Sequence, residues 1–389
     1  MVNLPNFYPS QLHPLGVRIS QSLSYLIAHL FYKINFKIAP TSLERFKKIE
    51  DHRIVLLANH PTFDDGLVMF LLSSRLGELF NYLVAYESFR GLVGKILQLI
   101  GAYSVQRGLA DRRSIEYTLN LLKKPKSRLV VFPEGGCSFQ NDTVMPFRSG
   151  AIQLSFKAYS ELVKIEAIAP DFYLLPVSIK YVYTGSVQGV IEKTLRKLEK
   201  HYQIDHPASD RYLRLREIAA TVLLNLEKEY GLIHNKAFNS DWNQRIETLK
   251  EHILAICAQK VNITFAPDIP VRERVYKIQS LSESKFIEEA TIRLLNFDAI
   301  YDGYVAAYPT PERFMDTLIR LEREAFDIDQ PPAKTHRQAL VYLGEPINLK
   351  DYLESYAQNR AETIEILTQK TRHLVQQNLG KFQGYGGYD

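Results

Sequence analysis

The 389-residue sequence predicts an α/β fold: a mostly parallel central sheet flanked by helices, with a large helical insertion before the last strand. Three observations predict it. Short β-type apolar runs alternate with segments of helical period between residues 53 and 183. From about residue 190 to 335 the pattern is helical only. After Pro331-Pro332 a strand returns in Ala339-Leu340-Val341-Tyr342-Leu343. Strands that alternate with helices argue for a parallel sheet covered on both faces.

The elements follow in order. Leu23 to Phe36 is amphipathic, with Leu23, Leu26, Ile27, Leu30, Phe31 and Ile34 at helical spacing. Such a helix either lies in a membrane interface or packs on the α/β domain. Residues 53–58 read as a strand, 66–80 as a helix, 82–86 as a strand, 89–100 as a helix and 102–106 as a strand. In 89–100, Phe89, Leu92, Val93, Ile96, Leu97 and Ile100 share one face, flanked by Arg90 and Lys95. Asp111 caps a helix that turns Ile115, Leu119 and Leu122 inward. Residues 127–132 are a strand, Ser149 to Ser160 a helix, and 173–183 a strand too long and apolar for a sheet edge. Helices are predicted at Tyr212 to Tyr230, 241–260, 281–295 and 311–325, punctuated by Pro267, Pro270, Pro309 and Pro311. A final helix carries Ile364, Leu367, Leu374, Val375 and Leu379 on one face. The expected organisation is an N-terminal amphipathic segment (1–40), an α/β domain in two pieces (41–189 and 337–389) and the helical insertion (190–336).

Composition narrows the function. With 46% hydrophobic residues the chain can bury a large core. A net charge of +5 suits approach to an anionic membrane surface or an acidic carrier protein, and is too small to argue for nucleic acid. Two cysteines, Cys137 and Cys257, exclude a disulfide framework and fit a reducing, cytoplasmic compartment. No stretch is long and apolar enough for a transmembrane helix, and Met1 to Gly16 lacks the pattern of a secretory signal.

Two polar clusters stand just past strand-like runs. Asn59-His60-Pro61-Thr62-Phe63-Asp64-Asp65 follows Ile54 to Ala58, and Phe132-Pro133-Glu134-Gly135 follows Arg128 to Val131. In an open α/β sheet the loops at the carboxyl ends of strands build the site. A neutral imidazole takes a proton from a hydroxyl near neutral pH. A carboxylate on its other nitrogen fixes the tautomer and stabilises the imidazolium. With four residues between them, Asp65 can fold back onto His60 in a turn before a helix, and Pro61 suits the first helical turn. The same residues also suit a plain helix start, with Asp64 or Asp65 as cap and His60 on a surface loop.

Asn59-His60 followed by Asp65 resembles the first motif of the glycerolipid acyltransferase family, the lysophosphatidate and glycerol-3-phosphate acyltransferases. Ala102-Tyr103-Ser104-Val105-Gln106-Arg107-Gly108 is similar to the second block, Phe132 to Gly135 to the third, and Leu175-Pro176-Val177-Ser178-Ile179 to the fourth. Phe147-Arg148-Ser149-Gly150-Ala151 matches a further segment, and Gly344-Glu345-Pro346-Ile347 resembles the end of the fold. The main resemblance spans roughly residues 40 to 182. One departure stands out: the third block of the family continues Thr-Arg-Ser, whereas this chain has Gly136-Cys137-Ser138. An arginine there would help clamp a phosphate.

The resemblance implies an O-acyltransferase. His60 would be the general base, oriented by Asp65, with backbone N–H groups binding the oxyanion. Arg107, Glu134 and Gly135 would help form the acceptor site, and Arg148 would bind an anion or remain a solvated charge. The donor would be acyl-coenzyme A or acyl carrier protein, the acceptor a glycerolipid such as lysophosphatidate, with no bound cofactor or metal. Peripheral contact with the cytoplasmic face of a membrane is expected. Because base chemistry needs no covalent step, Cys137 is read as a small apolar filler. With Cys137 in place of arginine, the acceptor is alternatively an uncharged alcohol or amino-lipid. A non-catalytic lipid-binding protein on the same fold is the reading from another class.

Overall fold

The computed structural model describes residues 7–109, 111–166, 169–205, 207–232, 241–266, 269–282, 284–297 and 300–382. The Met1–Asn6 part of the N-terminal segment and the turn expected at Pro267 lie outside the described residues. The chain forms two compact units. One comprises Met1–Ser138, Asp142–Val182 and Arg337–Asp389, and the other Tyr183–His336 with Phe139–Asn141.

The first unit is the α/β domain. Its elements are α1 (Pro14–Tyr32), β1 (Ile34–Ile38), α2 (Pro40–Lys47), β2 (Arg53–Ala58), α3 (Asp65–Leu76), β3 (Asn81–Ala85), α4 (Gly91–Leu99) and β4 (Ala102–Val105). Then come α5 (Arg112–Lys123), β5 (Arg128–Val131), α6 (Gly150–Ile165) and β6 (Phe172–Tyr183). The sheet order is β1-β7-β6-β2-β5-β3-β4, where β7 (Arg337–Leu343) is the returning strand. The pairs β1–β7, β2–β6, β2–β5, β3–β5 and β3–β4 are parallel. A two-residue strand, β8 (Ile347–Asn348), pairs antiparallel with β6. Helices α14 (Leu353–Gln358) and α15 (Arg360–Gly380) close the chain.

Strand β2 shows why the sheet is covered on both sides. Ile54, Leu56 and Ala58 join one apolar core with Val68, Leu71 and Leu72 of α3. Val55 and Leu57 join another with Leu122 of α5, Phe156 of α6 and Leu367 of α15. Alternate residues of a strand point to opposite faces, so an unbroken apolar run belongs to a strand buried on both. The long strand β6 is interior, between β7 and β2, as its apolar length predicted.

Two local readings are corrected. The helical period of Leu23 to Phe36 does not run through Ile34. Helix α1 ends at Tyr32, Lys33 takes a left-handed conformation (φ 53°), and Ile34–Ile38 is an edge strand paired with β7. The β-branched Ile34 is buried in the sheet, where its stiff side chain packs better than in a helix. Pro61, expected in a first helical turn, stands four residues before α3 begins.

Helix α1 also turns an unexpected face inward. Its buried residues are Val17, Gln21, Ser24 and Ala28, while Leu23, Leu26, Leu30 and Phe31 are exposed. The Gln21 amide donates to Ser73 Oγ (3.0 Å) and to the Glu78 carbonyl (2.9 Å), so a small, polar stripe makes the contact with the α3 region. Leu92, Val93, Ile96 and Leu99 of α4 are exposed as well, although Phe89 just before the helix is buried. Backbone bonds from Gln11 to the Gln98 carbonyl and from His13 to the Leu99 carbonyl join the start of α1 to the end of α4. Among the described residues no helix is long and apolar enough to cross a membrane.

The second unit is helical: α7 (Gln188–Tyr202), α8 (Arg211–Glu229), α9 (Trp242–Lys260), α10 (Val271–Gln279), α11 (Lys285–Phe297), α12 (Tyr304–Ala307) and α13 (Pro311–Phe326). It has its own core, in which Leu195, Ile218, Ile253, Cys257, Leu294 and Leu318 meet. Arg214 of α8 grips Glu199 of α7 through two bonds of 2.6 and 2.8 Å.

Candidate active site

Because β2 and β5 are parallel neighbours, their carboxyl ends deliver the two polar clusters side by side. Asn59 ends β2 without ending its pairing. Its side-chain amide donates to the Ile179 carbonyl (2.9 Å) and accepts from the Ile179 N–H (2.7 Å), standing in for one more rung of the sheet. The backbone is thereby freed to turn, and His60 projects from the strand end. Both backbone groups of His60 are then held by the loop after β5. Its N–H donates to Glu134 Oε1 (2.9 Å) and its carbonyl accepts from the Ser138 N–H (2.8 Å).

The loop from His60 folds back on Asp65. His60 Nδ1 lies 2.7 Å from Asp65 Oδ2. An ionised carboxylate only accepts, so Nδ1 carries the proton and Nε2 of the neutral ring holds the lone pair. The Thr62 N–H (2.8 Å) also donates to Oδ2, while the Thr62 hydroxyl (3.1 Å) and the Tyr181 hydroxyl (2.6 Å) donate to Oδ1. Asp65 is fully buried and opens α3, where the helix dipole favours a negative charge. Asp64 makes no side-chain cap bond. Its carboxylate pairs instead with Arg337, at the start of β7. Arg337 also lies over the Tyr181 ring, 4.4 Å from its centroid. Burial and the neighbouring Asp65 charge hold the Tyr181 phenol well above its ordinary pKa, so it stays a donor.

The imidazole of His60 is held on both faces. Phe132 stacks on it at 4.3 Å between centroids and 22° between planes. Cys137 Sγ lies 3.4 Å from Nε2 and 3.7 Å from Nδ1. A thiol in line with the Nε2 lone pair would be far from Nδ1. Near-equal distances to the two nitrogens put the sulfur over the ring face, and Phe132 takes the other face. Cys137 is therefore not placed as the hydrogen-bonded partner of a base. The His60 side chain keeps 18% of its surface exposed, so the pair can be reached from solvent.

The remaining expected residues divide. Glu134 is buried and holds the His60 backbone. Gly135 has φ +76°, and a Cβ on it would meet Arg148 Nε at 2.9 Å, so the Arg148 side chain lies directly against this turn. The Arg148 N–H donates to the Pro133 carbonyl (2.8 Å). Arg107 follows β4 on the same rim of the sheet, with its guanidinium 3.5 Å from Glu87. It stands three strand positions from β2, about 14 Å at ordinary strand spacing. The fold thus brings His60, Asp65 and Glu134 into contact and sets Arg148 against Gly135, while Arg107 follows β4, the edge strand of the same rim. Sequence reasoning missed Tyr181 and Arg337. Tyr181 left a faint signal, since it lies two residues past Ile179 on the same face of β6, at the strand end. Arg337 left none, being 273 positions from its partner Asp64.

Residues 37–180 match the family model described as Acyltransferase. That segment contains both strand-end clusters and ends one residue before Tyr181. No curated protein matches the chain.

Proposed function

Starting from an acyltransferase domain over residues 37–180, we propose that this protein moves a fatty acyl group from a thioester donor to a hydroxyl of a glycerolipid acceptor. The observation that carries the reading is the His60 Nδ1–Asp65 contact of 2.7 Å at the carboxyl edge of the sheet. His60 Nε2 takes the acceptor's hydroxyl proton as the oxygen attacks the thioester carbonyl. Asp65 stabilises the imidazolium that results. Collapse of the tetrahedral intermediate releases the thiol of coenzyme A or of the carrier protein, which leaves with the proton from His60. The N–H groups of Gly135 and Ser138 are already bonded to the carbonyls of Phe132 and His60, so the oxyanion is left to other donors.

Arg148 beside Gly135 favours an anionic acceptor, and lysophosphatidate is the reading we adopt. Cys137, at the position where the family resemblance implies arginine, favours a second reading, an uncharged alcohol or amino-lipid acceptor. The exposed apolar residues of α1 and α4 support peripheral membrane contact.

The test is acyl transfer by the purified protein and by His60→Ala. Labelled acyl carrier protein and acyl-coenzyme A are offered with lysophosphatidate, glycerol 3-phosphate or a neutral alcohol lipid. Transfer that is lost in the variant supports the assignment and identifies donor and acceptor together. Near-normal transfer by His60→Ala would sink the base role, and a preference for the neutral alcohol would select the second reading.

A further inference from the structure

Four donors converge on Asp65, and three of them belong to its own loop: the His60 ring, the Thr62 N–H and the Thr62 hydroxyl. These travel with the loop if it moves. The fourth, the Tyr181 hydroxyl, comes from β6 and ties the carboxylate to the sheet. Tyr181 is 3% exposed, and its ring lies under the Arg337 guanidinium, which pairs with Asp64, the residue before Asp65. The contacts close a circuit through Asp65, Tyr181, Arg337 and Asp64. Removing one member opens the circuit without emptying the site.

We propose that Tyr181 and Arg337 are positioning residues of the His60–Asp65 pair. Arg337 holds the Tyr181 ring and Asp64, and the Tyr181 hydroxyl sets the orientation and effective charge of Asp65. This rests on the acyl-transfer reading for its kinetic consequence, but its electrostatic consequence is independent of it. A carboxylate that loses a hydrogen-bond donor concentrates its charge on the remaining partner, here the His60 ring, and favours the imidazolium. The other groups around the ring and its loop are Glu134, on the His60 N–H, the Cys137 thiol, and the Asp64–Arg337 pair.

Tyr181→Phe tests this, since it keeps the ring beneath Arg337 and deletes only the hydroxyl. The acid limb of the activity profile should move to higher pH, with the donor KM held within about twofold. Arg337→Lys keeps a charge for Asp64 but cannot lie flat on Tyr181, and should show the same changes at smaller size. A second readout needs no turnover. The ring signal of His60 in NMR spectra, assigned by its loss in His60→Ala, should titrate at higher pH in Tyr181→Phe than in the parent. An unmoved titration and an unmoved acid limb in both variants overturn the proposal, whatever happens to kcat. If the parent moves no acyl group but the titration shifts, the acyl-transfer reading fails and the positioning role stands.

Discussion

Replacing Asp65 by asparagine separates the charge of this residue from its shape. Two fixed N–H donors face Oδ2, from His60 and Thr62, whereas two rotatable hydroxyls face Oδ1, from Tyr181 and Thr62. Asparagine can therefore put its oxygen toward the N–H pair and its NH2 toward the hydroxyls, which turn to accept. The His60 tautomer and the fold survive, and only the charge is lost. Two unit charges about 4 Å apart interact by about 4 kcal/mol at an effective dielectric of 20. The neutral hydrogen bond that remains returns about 1 kcal/mol. The net of about 3 kcal/mol corresponds to roughly a hundredfold lower kcat, with KM little changed. Acyl transfer under saturating donor measures it, with circular dichroism to check the fold. Activity of Asp65→Asn within about threefold of the parent would refute the reasoning, because the imidazolium would then need no counter-charge. Asp65→Ala is the contrast: it leaves buried donors without an acceptor, each costing about 1–3 kcal/mol, and should be markedly less stable in urea.

Three further outcomes are expected. Asn59→Leu leaves the Ile179 N–H and carbonyl unmatched in the core and should destabilise the protein by about 2–4 kcal/mol in urea titration, where an unchanged midpoint would contradict the pairing. Burial pushes the Cys257 thiol up to about 11, and the thiolate is the reactive form, so native protein at pH 8 treated with iodoacetamide should be modified at Cys137 alone, as read by mass spectrometry. Adduct formation at Cys137, over the His60 ring, should stop acyl transfer, and labelling of Cys257 at the same rate would refute the argument. Leu26→Asp with Phe31→Asp, both on the exposed face of α1, should weaken binding to anionic lipid vesicles about tenfold or more and leave thermal stability unchanged.

The parallel sheet was legible because its central strands are unbroken apolar runs bounded by turn residues, a pattern set by burial on both faces. The edge strand β1 was not, since five residues behind a helix carry too little period to separate them from it, and pairing with β7 decides their state. The helical character of residues 190–335 was legible from its period, but the individual bounds of α7 and α10 were not, because these helices are short or strongly charged and the shared core of the helical unit holds them.

The sequence by itself determined which residues stand together at the strand ends. Histidine and aspartate five positions apart can meet through a local turn, and Phe132 to Gly135 form a local turn as well. Local contacts depend on residues close along the chain, so a motif can report them. Only the tertiary structure decided which strands are neighbours, and hence that Glu134 grips the His60 backbone and that Cys137 covers the ring face. Only the tertiary structure, too, brought Tyr181 and Arg337 to the aspartates. Val182 is the last residue before the helical unit and Arg337 the first after it. A contact made across that many residues depends on how the sheet is assembled, and no spacing along the chain records it.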